Sequence, residues 1–239
     1  MNVNFIIPCF NEEKIIYESI KYLIEKIKKN KYLNEFEIIL VDDGSSDNTW
    51  PIIQKLNLED NRIKGIKLLK NYGHLSALNA GFRENNLDYI CMLDADFMLE
   101  YPKDMVEKLL EKMSTNQYDI IQVARDQYHA NFLKATSSKL FYFIFNFLSN
   151  VKIIVSAPDF RIMNYKVFKK LNSLNHKIFF RREIVAFDFK IKILSFDQSS
   201  VRKSKFTFLK MLSFALESLI FNTGLLKKKS DFIVKERIK

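Results

Sequence analysis

A change of hydrophobic period repeats through the first half of this chain. "VNFIIPCF" (3–10) is a short apolar run that reads as a buried strand, stopped by Pro8 and Asn11. Over 12–29 the apolar residues move to helical spacing, with Ile15, Ile16, Ile20, Leu23, Ile24 and Ile27 on one face. "FEIILVDDGSSDNT" (36–49) is a strand that runs into a polar turn, where Asp47 or Thr49 offers a cap for a helix through 50–56. A strand at 62–71, a helix at 74–85, a strand at 88–93, a helix at 102–114 and a strand at 118–125 follow, and Pro102 is tolerated at the start of its helix. Strand and helix in regular turn predict an α/β fold, a mostly parallel sheet with helices on both faces.

The second half reads differently. Residues 134–150 and 206–226 form aromatic, amphipathic helical patterns, the second followed by "KKK". No linker and no internal repeat interrupts the chain, so one catalytic domain is expected over 1–205. Residues 206–239 are expected to be an amphipathic, basic segment suited to an anionic membrane interface, with packing on the domain as the other reading. No window of about 18 apolar residues is uninterrupted, since 206–226 contains Lys210 and Glu217. "MNVNFIIPCFNEE" lacks a basic leader followed by a long apolar core, so no signal peptide is expected.

In a parallel α/β sheet, ligands bind beyond the carboxyl ends of the strands. Asp42, Asp43, Asn71, Asp94, Asp96 and Arg125 all fall at such ends. The formal charge of +10 suits an anionic partner, although a solvated lysine surface accounts for most of it. No nucleic-acid-binding motif accompanies the charge, so nucleic acid is not an expected partner. Cys9 and Cys91 sit in apolar runs with no metal-binding spacing, which suits a reduced setting and excludes them as nucleophiles. His74, His129 and His176 are isolated and receive no role.

"IPCFNEE", "LVDDGSSDNT", "NYGHLSALNAGF", "MLDADF", "APDFRIMNYKVF" and "SKF" occur in an order that resembles family 2 glycosyltransferases. The likeness runs over roughly 3–226 and is to the polyprenyl-phosphate branch, of the dolichol-phosphate mannose synthase and bactoprenol glucosyltransferase type. The QxxRW motif of processive synthases is absent. The resemblance implies a Rossmann-like GT-A fold and inverting transfer of one sugar from a UDP-sugar or GDP-mannose to polyprenyl phosphate. It implies Mg²⁺ or Mn²⁺ held by Asp96, with Asp94 facing ribose and metal; two acids with period-two spacing share a side if the strand continues through them. Pro8, Phe10, Glu12 and Asp43 match positions around the nucleobase, although Glu12 and Glu13 also suit a first helical turn and Pro8 a simple strand stop. Arg125 falls near the phosphates. Asp159 and Arg161 fall at the reaction centre, or form a structural ion pair. Lys134, Lys139, Arg182, Arg202 and Lys205 are the candidates for the acceptor phosphate, with a solvated face as the competing reading of Lys134 and Lys139.

The chain departs from the family pattern at three places. Met98 stands where relatives have Gln, Ser199 where they have Arg, and Glu183 where they have Gly. Asp159 separates two acceptors. A sugar hydroxyl needs a general base, whereas a lipid phosphate is already ionised at neutral pH. Transfer to a saccharide or lipopolysaccharide hydroxyl, and a degenerate non-catalytic homologue, are the competing readings. Peripheral attachment at the cytoplasmic membrane face is expected, and the sequence assigns no oligomeric state.

Overall fold

The computed structural model describes residues 1–126, 157–174, 176–197 and 232–238, so Lys134, Lys139, Arg202, Lys205 and both long amphipathic segments lie outside it. The regular alternation is realised: β1 (Asn2–Cys9), α1 (Ile16–Lys28), β2 (Glu35–Asp42), α2 (Thr49–Glu59), β3 (Ile63–Leu68), α3 (His74–Arg83), β4 (Tyr89–Met92), a single turn α4 (Phe97–Glu100), α5 (Met105–Ser114) and β5 (Ile120–Asp126). Then come β6 (Arg161–Asn164), α6 (Tyr165–Asn172), α7 (Phe180–Ala186), β7 (Ile191–Asp197) and β8 (Val234–Ile238). None of the described helices is long and apolar enough to cross a membrane.

The strands form one sheet in the order β7-β5-β6-β4-β1-β2-β3-β8. β1 pairs in parallel with β2 and β4, β2 with β3, and β5 with β7; only β6 and β8 run antiparallel to their neighbours. The central strands read as continuous apolar runs because both faces are covered. Val3, Phe5, Ile7, Ile38 and Leu40 join α1, α2 and α5 in one apolar layer. Ile6, Ile39 and Val41 join α3, α6 and α7 in the other. Helix α3 lies close on the sheet because position 81 is glycine: a Cβ there would sit 2.5 Å from Ile6 Cγ2.

Three sequence expectations change. Pro8 does not stop β1; it is buried within the strand, opposite Val41. The β1–β4 ladder ends at Ile6 and Met92, so the missing N–H of Pro8 breaks no pairing. Strand β4 does not continue through the paired acids: it ends at Met92, and Asp94 to Asp96 form the turn into α4. Finally, residues 206–239 are not wholly a separate segment. Val234–Ile238 pairs with β3, and Trp50 Nε1 donates to Glu236 at 3.2 Å.

Asp119 locks the β5 side of the sheet. Its carboxylate accepts from the Lys190 backbone N–H (2.9 Å), Lys166 Nζ (2.9 Å) and Asn164 Nδ2 (3.0 Å). Asn164 in turn caps α6 through the Val167 N–H. Burial pushes the Asp119 carboxyl up, but those three donors outweigh it and hold the carboxyl below its ordinary range. A depressed folded pKa adds stability above the unfolded value, and that stability is lost as pH falls through the folded value. Asp119→Asn should therefore lower urea stability at neutral pH, and its deficit against the native chain should shrink below about pH 4 in urea titrations at several pH values.

Candidate functional site

The carboxyl ends of β1, β2, β4 and β5 converge, and the residues that leave them are polar. After β1 the chain exposes Phe10 (45% exposed) and turns at Asn11, whose φ of 56° is in the left-handed region. Loops after β1 and β2 are sewn together. Asn11 N–H donates to Ser45 Oγ, Ser46 N–H to Asn11 Oδ1, Glu12 N–H to Thr49 Oγ1, and Asn48 N–H to Glu13 Oε2. Asp47 accepts from the Thr49 and Glu13 N–H groups, so it braces the start of α2 and the turn into α1 together.

Asp43 is only 2% exposed. Its Oδ1 accepts from Tyr72 N–H at 2.8 Å and its Oδ2 from Gly73 N–H at 2.9 Å. Burial raises its pKa against those two donors. The carboxylate matched to the nucleobase is therefore also the clamp on the turn that opens α3, where Gly73 takes a φ of 90°. That clamp presents His74, the first residue of α3.

His74, given no role from sequence, sits at the centre. Its Nε2 is 3.3 Å from Asp159 Oδ2 and 3.7 Å from Asp94 Oδ1. Asp94 and Asp96 are both partly exposed, while Ala95 and Phe97 between and after them are buried. Both acids thus reach solvent from the turn while their neighbours Ala95 and Phe97 pack inward. Desolvation pushes the Asp94 carboxyl up; His74 opposes, and Asp159 and Asp96 add to the rise. Met98 is partly buried and packs against the apolar layer of α1 and α5.

Asp159 precedes β6 by two residues and is ringed by cations. Arg161 Nη2 donates to Oδ1 at 2.6 Å, His74 lies at Oδ2, and Arg181 Nη2 is 3.7 Å from Oδ2. Burial alone would raise this carboxyl, but Arg181, Arg161 and His74 hold it well below the usual carboxylate range. Arg161 is fully buried at the start of β6, opposite Met92 of β4 and Gln122 of β5. Gln122, absent from the sequence reading, holds the loop: its Nε2 donates to the carbonyls of Pro158 (2.8 Å) and Phe160 (3.1 Å), on either side of Asp159.

Arg125, next to last in β5, has its guanidinium paired to Glu100 Oε2 at 3.0 Å, which ties β5 to the end of α4, the turn that follows Asp94 and Asp96. Arg182 is paired with the residue that follows it. Its Nη1 lies 2.9 Å from Oε1 of Glu183, which is buried and also meets His176. The neighbour Arg181 is the arginine of α7 that reaches Asp159. Cys9 and Cys91 are buried free thiols whose pKa burial raises, as suits strand-core residues.

With this geometry the comparisons are specific. The model of glycosyl transferase family 2 matches residues 4–172. The chain is 30% identical over 226 residues to the uncharacterized glycosyltransferase YkoT of Bacillus subtilis, covering 91% of this chain and 66% of YkoT. It is 38% identical over 141 residues to the undecaprenyl-phosphate 4-deoxy-4-formamido-L-arabinose transferase of Proteus mirabilis, 58% of this chain and 41% of that protein. In structure it resembles the mannosyltransferase PcManGT of Pyrobaculum calidifontis, solved with GDP-Man and Mn²⁺, with a TM-score of 0.61 and 14% identity over 95% of this chain and 65% of the other. That likeness shows a GT-A fold. The chain thus spans about two thirds or less of these proteins.

The Asp43 clamp is directly measurable. Asp43→Ala should leave two backbone donors without an acceptor, cost about 1–3 kcal/mol of urea stability, and speed hydrogen exchange at the Tyr72 and Gly73 amides above all others.

Proposed function

Because the chain belongs to glycosyl transferase family 2, we propose that it moves one sugar, with inversion, from a nucleotide-diphosphate sugar to polyprenyl phosphate. The observation that carries the acceptor is the ring of cations around Asp159. A sugar-hydroxyl acceptor must lose a proton to a base in the transition state. A carboxylate that two arginines and a histidine hold well below its usual range is a poor base. A phosphate monoester needs none, because its second ionisation, near pKa 6, leaves it largely charged at neutral pH. The undecaprenyl-phosphate transferase among the relatives supports the same acceptor.

In this reading Phe10 and Glu12 border the nucleobase with Pro8, and Asp43 shapes that wall through the turn it clamps. Asp159 positions Arg161 and Arg181, which hold the acceptor phosphate opposite the leaving diphosphate. Arg125 lies on the donor-phosphate side with Glu100. Lys134, Lys139, Arg182, Arg202 and Lys205 remain acceptor-side candidates.

The donor set fits Mg²⁺ or Mn²⁺. Asp94 and Asp96 offer two partly exposed carboxylates. Among the described residues, no group of three acidic, His or Cys side chains could cage an ion alone. A hard cation bound with a diphosphate needs just one or two protein carboxylates. Asp94 and Asp96 would hold it, and it would supply positive charge to the departing diphosphate. A lipid acceptor also requires membrane contact, which the proposal assigns to the cytoplasmic face and to 137–149 and 206–226.

A labelled-donor assay should give transfer to polyprenyl phosphate and none to saccharide acceptors. Asp96→Ala should lower that transfer by about 100-fold or more. Asp159→Asn, which keeps the shape but not the charge, should retain partial transfer. A loss equal to that of Asp96→Ala would instead make Asp159 the base for a hydroxyl acceptor. Absence of both transfer and donor hydrolysis in the native chain would mark a non-catalytic homologue.

A further inference from the structure

Tyr101 follows α4 directly, five residues after Asp96. It is 6% exposed, and its ring is wedged edge-on between Phe160 (4.9 Å), the neighbour of Asp159, and Phe196 of β7 (5.3 Å). The wedge fixes where the hydroxyl points. That hydroxyl is buried and has no hydrogen-bond partner among the described residues. Burial pushes the phenol up, and the carboxylates of Asp94, Glu100 and Asp159 push it further while Arg125 opposes, so the group lies in the field of the site and stays a donor. Arg125 Nε and Arg161 Nε and Nη1 are also buried without partners among the described residues. Gln122 Oε1 is an acceptor in the same state, so the unpaired buried donors around Asp159 outnumber the unpaired acceptor there.

A buried hydroxyl without a partner is costly, and phenylalanine would pack the same space without that cost. A tyrosine in this position makes sense if its partner arrives from outside. The surplus is of donors, so the partner is an acceptor, and an anionic one suits the arginines. Building on the phosphate reading above, we infer that Tyr101 Oη is a substrate-contacting group that donates a hydrogen bond to a phosphate oxygen. That oxygen belongs either to the donor diphosphate or to the acceptor monophosphate; both present the same chemistry to the phenol.

Tyr101→Phe in the full chain tests this, because the ring packing survives and only the hydroxyl is lost. The variant should melt at or above the native temperature. A clear drop would mean that the hydroxyl already has a partner in the free protein, and would overturn the inference. Calorimetry with UDP and with GDP in the presence of Mn²⁺ reads the donor arm. Initial rates against polyprenyl-phosphate concentration read the acceptor arm. A ten-fold or larger weakening of nucleotide binding places the contact on the diphosphate. Unchanged nucleotide binding with a ten-fold or larger rise in the acceptor KM places it on the acceptor phosphate. Values within two-fold of native in both arms overturn the inference while leaving the proposed function standing. A native chain that neither binds nucleotide nor transfers sugar overturns both.

Discussion

A strand covered on both faces has no room for charge along its length. In their central stretches β1, β2 and β4 obey this, feeding Phe5, Ile7, Leu40 and Cys91 into one apolar layer and Ile6, Val41 and Met92 into the other. Polar groups are displaced to where the strands run out. The parallel direction makes several of those exits fall along one edge of the sheet, and Asp43, Asp94 and Arg125 all stand on that edge. The same exclusion explains Met98. One turn beyond the acids the chain re-enters the apolar layer, where a thioether packs well.

What forms at that edge is a linked frame. Asp43 holds the turn before α3, that turn presents His74, and His74 spans the carboxylates of Asp94 and Asp159. Gln122 fixes the carbonyls on both sides of Asp159, and Arg125 ties Glu100 to the end of β5. A carboxylate at each junction meets a cation or a pair of N–H groups, which is how several like charges are kept on one edge of the sheet.

Much of this was legible from period and position. The alternation over the first half announced the parallel sheet, and the acids at strand ends pointed to the edge where Asp94, Asp159 and His74 gather. The rest was hidden for identifiable reasons. Strand β6 has four residues, "RIMN", too short to show a period, and it begins with a buried arginine that no hydrophobic pattern reveals. Gln122 lies inside an apolar strand and acts through a loop 36 residues on in sequence, a distance that spacing cannot bridge. Arg181 and Arg182 are adjacent, and only the phase of α7 decides which one faces Asp159. His74 seemed isolated because its partners are distant in sequence.

The pairing of β8 with β3 also has a temporal meaning. Trp50 and Glu236 meet across 186 residues of chain, and β8 covers the flank of β3 that would otherwise show bare backbone groups. A ribosome delivers β3 long before β8. For most of synthesis the emerging sheet carries an open, apolar-flanked edge able to pair with another nascent strand. The interval between translating Leu68 and Val234 is the chain's window of exposure to aggregation, so its yield in a cell depends on elongation speed and chaperone supply as well as on final stability.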